Sequence, residues 1–219
     1  MDRRNLAPYL VLACAIAAGV SYVASWDMDI PPLASMLWKG AGVSLLALYA
    51  GLKARSLDDW LICAVMAFGA LGDMLLEAAG LTVGAVAFLV GHLIAIWLYL
   101  RNRRRAVTRS QMLFAILLVP ATGILAFLLP TDRALAAAAT LYSMSLAVMA
   151  AMAWTSRFPR ALVGAGALMF VVSDLLIFAR AGALEHAAWI GLAIWGLYFF
   201  GQALICVGVT CTLARNPLA

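Results

Sequence analysis

The stretch LTVGAVAFLVGHLIAIWLYL, residues 81–100, runs for twenty residues with one ionisable side chain, His92, and stops at Arg101-Asn102-Arg103-Arg104-Arg105. About 20 apolar residues in helical form cross the hydrocarbon core of a bilayer. A basic cluster placed directly after them is the usual flank of a cytoplasmic helix end. The same pattern recurs along the whole chain. Eight apolar stretches can be read, at residues 6–25, 33–52, 60–79, 81–100, 111–129, 134–154, 161–179 and 188–213, separated by charges, prolines or short polar turns. Only the small-residue turn around Gly80 divides the third from the fourth. The runs are far too long for the alternating strands of a membrane barrel. The sequence therefore predicts an all-α, polytopic membrane bundle of eight transmembrane helices, one transmembrane domain over residues 1–219.

Composition agrees. Of the 219 residues, 66% are hydrophobic and 11% charged, with a mean hydropathy of +1.02. A soluble domain is roughly 45–50% apolar and about 25% charged. A water-soluble globule of this size has no place to hide so many apolar side chains, which excludes soluble enzymes, nucleic-acid-binding domains and disordered chains. Nucleic acid is not an expected partner; membrane lipids are.

The basic residues set the orientation. With eight spans, both termini and the loops after the second, fourth and sixth helices share one side. That side carries twelve: Arg3, Arg4, Lys53, Arg55, Arg101, Arg103, Arg104, Arg105, Arg109, Arg157, Arg160 and Arg215. The other side carries Arg133 and Arg180, and Lys39 lies inside a span. The positive-inside rule then places both termini in the cytoplasm. The basic run 101–105 is also suited to touching anionic head groups. The first span is long for a signal peptide and has no clear cleavage site. Cys14, Cys63, Cys206 and Cys211 fall within spans without CxxC spacing and read as small apolar residues. Pro120 reads as a tolerated kink. The Ala- and Arg-rich composition suits a bacterial inner membrane.

The informative side chains are those that lipid rejects. An ionisable group inside a span is expensive and marks a functional site by default. Lys39 lies in the second span, Asp73 and Glu77 in the third, His92 in the fourth and Asp174 in the seventh. Tyr142 and Ser143 in the sixth, Ser173 in the seventh, and Tyr198 with Gln202 in the eighth add neutral hydrogen-bonding groups. At about 1.5 Å of rise per residue, Lys39, Asp73 and Asp174 all lie roughly 8–9 Å from the non-cytoplasmic ends of their helices. Asp73 with Glu77, and Tyr198 with Gln202, are i, i+4 pairs on one helix face. His92 falls near the midplane.

A single Lys–Asp pair reads equally as an ion pair that fixes helix register. The second aspartate changes the balance. Two acids and one cation at one depth leave an excess negative charge, most cheaply relieved if one Asp holds a proton. One protonated acid beside one carboxylate is a general acid–base pair. The lesser groups have plainer readings: His92 as a hydrogen-bonded packing residue, Glu77 as a carboxylate reaching the interface. Two histidines exclude a three-His zinc site, and no GxSxG elbow is present. A faint internal echo links Gly72-Asp73-Met74-Leu75-Leu76 to Ser173-Asp174-Leu175-Leu176-Ile177, each followed by Ala-Ile-Trp in the next span. Two related halves would set Asp73 and Asp174 at equivalent places flanking one central cavity.

These residues resemble the YhhN-like lysoplasmalogenase family of eight-span membrane proteins. The resemblance runs through Phe68-Gly69-Ala70-Leu71-Gly72-Asp73-Met74-Leu75-Leu76 and Ala87-Phe88-Leu89-Val90-Gly91-His92. It continues in the stretch from Gly164 to Asp174, with Phe170 and Ser173-Asp174, and in Tyr198-Phe199-Phe200-Gly201-Gln202. Two departures stand out. Gly40 follows Lys39 where the family usually has Pro, and Ala95 stands where the family tends to have an aromatic. The resemblance implies hydrolysis of the vinyl ether of lysoplasmalogens to a fatty aldehyde and a glycerophospho-base, with a lysophospholipid as substrate and no metal or organic cofactor. On that reading Asp73 and Asp174 divide the acid and base roles, and Lys39 keeps one of them ionised by pairing with it. Tyr198, Gln202 and Ser173 position water or the ether oxygen, with His92, Glu77 and Tyr142 in support. The site then lies in the outer, periplasmic half of the membrane. The competing class is a small proton- or cation-coupled transporter using the same Lys/Asp/Asp cluster, and a third is an assembly subunit.

Overall fold

The computed structural model describes residues 6–215; Arg3 and Arg4, counted above toward the basic side, lie outside them. Eight helices in that range are long and apolar enough to cross a membrane. They fit an integral, multi-pass membrane protein, and no strand is present among the described residues. Helix α1 (Ala7–Ser21) carries a proline in its first turn and tightens into a 3-10 segment, Tyr22–Asp27. The change is local: the Ser25 hydroxyl donates to the Tyr22 carbonyl at 2.7 Å, taking an acceptor that the ladder would otherwise use. Helix α2 (Pro32–Lys53) starts with Pro32 at its first position, where the missing N–H leaves no bond unmade.

Helix α3 (Leu57–Ala79) begins three residues before the sequence expectation. A capping box explains this: Ser56 Oγ accepts from the Asp59 N–H, and Asp59 Oδ2 accepts from the Ser56 N–H at 3.0 Å. The α3–α4 boundary is made by Gly80, at φ +86° and ψ 178°. Only glycine occupies that region freely, so one residue suffices to turn the chain into α4 (Leu81–Arg101). Helix α5 (Arg109–Leu128) has a second capping box, Thr108 with Gln111, and continues through Pro120 as expected. Helix α6 (Arg133–Thr155) is capped by Asp132. The seventh span opens on a π turn, Arg160–Gly164, before α7 (Ala165–Arg180), and α8 (Ile190–Arg215) closes the series.

Contacts divide the chain into two compact units. The first holds the described residues up to Ala95 together with those from Val209; the second holds Ile96–Gly208. In the first, α2 packs on both α1 and α3. The α3–α4 hairpin is close because its seam is made of glycines. A methyl at Gly72 would lie 2.7 Å from the Phe88 ring, and one at Gly84 would lie 2.6 Å from Leu76 Cγ. Small residues that let helix backbones approach are the usual adhesive of membrane helices.

In the second unit α5 packs on α6, and α6 on α7. The unit is tied at both ends. At one, Thr131 donates its backbone N–H to the Ala181 carbonyl at 3.2 Å. At the other, the Arg157 N–H donates to the Asn102 carbonyl at 2.8 Å. A methyl at Gly201 would sit 2.7 Å from the Gly166 carbonyl oxygen, so the α7 and α8 backbones touch where they cross.

Candidate active site

The polar residues picked out by the sequence are divided between the two units. In the first unit, Asp73 lies on the inward face of α3 and is 2% exposed. Glu77 follows one turn later. A Cβ at Gly40 would meet Met74 Cγ at 2.7 Å, so α2 and α3 meet closely beside both Lys39 and Asp73. The glycine at 40, a departure from the family pattern, is what gives Met74 that space. Ala95, the other departure, is buried.

Lys39 was expected to pair with an aspartate. The ion pair that the structure describes goes instead to Glu77, from Lys39 Nζ to Oε1 at 3.3 Å. The side chains are 19% and 36% exposed, which places this pair at the edge of the unit. The physical reason is reach. Glu77 lies only about 6 Å along the helix from Asp73, and a lysine stem spans either distance while its head moves toward the more polar end. Tyr22 completes the group: its hydroxyl donates to the same Glu77 oxygen at 3.2 Å. Sequence reasoning missed Tyr22, because a tyrosine at a span end reads as an interfacial anchor. The available signal was its position, at the same end as Lys39 and Glu77. His92 is buried at mid-helix in α4.

In the second unit, Asp174 is 6% exposed on α7. Its Oδ2 accepts the Tyr142 hydroxyl of α6 at 2.7 Å, the usual length of an O–H···O hydrogen bond. Leu129, Tyr142 and Leu175 pack around the buried Ala126, Ala139 and Phe178. The polar pair therefore lies against an apolar wall. Ser173, beside it, is fully buried and donates to the Ile194 carbonyl of α8 at 2.9 Å. Its proton is thus committed to holding α7 against α8, and only its lone pairs remain for another task. Tyr198 and Gln202 are buried one turn apart on α8. The Tyr198 ring stands edge-on to Phe170 at 5.2 Å and tilted against Trp195 at 5.7 Å. Those contacts fix the plane of the ring and hence where its hydroxyl points.

Asp174 is chemically the more defined of the two aspartates. With Oδ2 occupied by a donor, a proton held by this carboxyl belongs on Oδ1, in a fixed direction. A carboxylic acid set against apolar side chains, with one oxygen clamped, is suited to delivering that proton to a poorly basic atom.

The profile of the YhhN family matches residues 34–209, which takes in α2 to α7 and most of α8, with every residue singled out above except Tyr22. No curated protein and no solved structure matches the chain. By the extent of that match, the chain belongs to the YhhN family, the family of lysoplasmalogenases.

Proposed function

We propose that this protein hydrolyses the vinyl ether bond of 1-alkenyl lysophospholipids. Membership in the family suggests a hydrolase; the alkenyl substrate and the roles of individual residues are our reading. The observation that carries it is Asp174, 6% exposed within an apolar span and clamped on one oxygen by Tyr142.

A vinyl ether is stable to nucleophiles and yields to acid at carbon. Protonation of the β-carbon uses the π electrons to form the new C–H bond and leaves an oxocarbenium ion at the α-carbon. Water adds there and gives up a proton to a base, forming a hemiacetal. Collapse of the hemiacetal breaks the C–O bond, returns a proton to the glycerol oxygen and releases the fatty aldehyde. The sequence needs an acid held in a low-dielectric setting, a negative charge for the cation and a base for water. In our proposal Asp73 and Asp174 supply acid and base; burial against apolar side chains favours the protonated form of Asp174 and makes it the acid, and the occupied Oδ2 leaves its proton on Oδ1. Tyr198 and Gln202 orient water, and Lys39 acts through Glu77 as a positioning residue. Orientation with both termini in the cytoplasm, in a bacterial inner membrane with the reactive groups toward the periplasmic side, belongs to the same proposal.

The test is aldehyde release by the detergent-purified protein from a 1-alkenyl lysophospholipid, beside the matching 1-acyl lysolipid and the Asp174→Asn variant. Aldehyde from the alkenyl substrate alone, abolished in a variant that elutes as the folded protein, is the expected result. No aldehyde from folded wild-type protein refutes the assignment.

A further inference from the structure

Where α1 gives way to α2 and α3 to α4, the first unit carries Asp27, Asp29 and Glu77 against a single cation, Lys39. Glu77 stands two residues before the end of α3, roughly 3 Å from it by helix rise. Two tryptophans belong to the same end. Trp26, 44% exposed, stands edge-on to Tyr22 at 6.1 Å and 87°, and Trp38 donates its Nε1–H to Ser21 Oγ at 3.1 Å. Tryptophans gather at the head-group level of a bilayer, so the Lys39–Glu77 pair lies where the polar head of a lipid lies.

The pair is only half used. Lys39 Nζ and the Tyr22 hydroxyl both donate to Glu77 Oε1, at 3.3 and 3.2 Å. Among the described residues, Glu77 Oε2 accepts no hydrogen bond and Lys39 donates to no other group. An ammonium has three donors and a carboxylate two oxygens, so each end of this fixed dipole has room for a further partner. Both ends are reachable, with 19% of the Lys39 side chain and 36% of the Glu77 side chain exposed. An ion pair that merely fixes helix register needs neither the exposure nor the open oxygen.

The complement of a cation beside an anion is an anion beside a cation. A zwitterionic phospholipid head, a phosphate joined to an ammonium by two carbons, is that complement. Its phosphate accepts from Lys39 and its ammonium meets Oε2, so that four charges alternate in sign. Asp27 and Asp29 add negative potential, which favours the ammonium and opposes a head of net negative charge. The aromatic geometry decides the kind of ammonium. A quaternary one is recognised by ring faces set around it. Tyr22 and Trp26 stand edge-on and present no pair of facing walls. The open carboxylate oxygen asks instead for an N–H donor in a charge-assisted hydrogen bond.

We propose that Glu77, held by Lys39 and Tyr22, is a head-group specificity site that selects a phosphate joined to a primary ammonium, the phosphoethanolamine head, over trimethylated and anionic heads. This rests on the reading of the substrate as a lysophospholipid.

The test measures binding without turnover. Full-length protein in detergent micelles is offered 1-O-alkyl lysophospholipids, whose saturated ether has no double bond to protonate, with ethanolamine, choline or glycerol heads. Bound lipid is counted by native mass spectrometry. Wild type should retain the ethanolamine lipid about tenfold over the choline lipid, as one charge-assisted hydrogen bond implies, and the glycerol lipid least. Glu77→Gln should bring the ethanolamine and choline lipids together. Lys39→Gln should weaken all three, since the phosphate is common to them, and leave ethanolamine ahead. Equal retention of the ethanolamine and choline lipids by wild type overturns the proposal, whatever the variants do, and so does an unchanged preference in folded Glu77→Gln. Full displacement of the ether lipid by an excess of soluble phosphoethanolamine overturns its assignment to a lipid. Aldehyde release from 1-alkenyl lysolipids is scored separately. Ethanolamine selectivity without aldehyde leaves this site standing and removes the hydrolase reading; aldehyde released equally from both heads, with equal binding, does the reverse.

Discussion

Replacing Tyr142 by Phe removes one oxygen, the donor that clamps Asp174. The bond is 2.7 Å long, joins two helices and has an acceptor 6% exposed. Hydrogen bonds between membrane helices contribute about 0.6 kcal/mol on average and up to about 1.7 kcal/mol. The carboxyl acceptor and the apolar wall of Ala126, Ala139 and Phe178 place this one at the upper end, about 1.5 kcal/mol. Reversible unfolding in mixed detergent–SDS micelles of wild type, Tyr142→Phe, Asp174→Ala and the double variant isolates the pairwise term. A coupling of about 1–1.7 kcal/mol is expected. Sites that do not touch are additive within about 0.5 kcal/mol, so additivity at that level refutes the clamp. Activity supplies a second reading. If the clamp fixes which oxygen carries the proton, Tyr142→Phe should lower kcat/KM roughly tenfold, which corresponds to about 1.4 kcal/mol, with KM little changed.

Other perturbations discriminate as sharply. Lys39→Met breaks a partly exposed ion pair, so stability should change by no more than about 1 kcal/mol; a much larger loss of aldehyde release shows a positioning role, and equal losses show a purely structural pair. Tyr22→Phe should mimic it more weakly in the same two assays. Gly80→Ala meets nothing within 4 Å, yet the backbone at φ +86°, ψ 178° is one that side chains avoid. A loss of about 1–3 kcal/mol is expected, with no rescue by Asn, and a neutral result in the same unfolding assay counts against the turn as described. Gly201→Ala drives a methyl toward the Gly166 carbonyl at 2.7 Å, which side-chain repacking does not relieve; a loss of about 1–3 kcal/mol should accompany reduced activity, because Gln202 is the next residue.

Hydropathy alone was enough for the eight helices, because lipid offers no partner for an unpaired peptide group and each apolar run must therefore coil into a complete helix. The helix ends are nearly as legible. Ser56 with Asp59, Thr108 with Gln111, and Gly80 are local signals, readable from a few adjacent residues. Position along a span is legible too, since it is only a count of residues, and the candidate site residues, Asp73 and Asp174 among them, are ones that lipid rejects. Partnership is another matter. A helix turns by about 100° per residue, and these spans are apolar on most sides, so no pattern in the chain tells which polar groups face each other. Helix packing alone assigns Lys39 to Glu77 and Tyr22, Tyr142 to Asp174, and the Ser173 proton to the α8 backbone. The same holds for the connections that follow α4 and α6. Basic residues in the loops were countable, but the burial of Asn102 and the bonds that Arg104 and Arg157 make to the partner loop join residues more than fifty apart, where no local rule reaches.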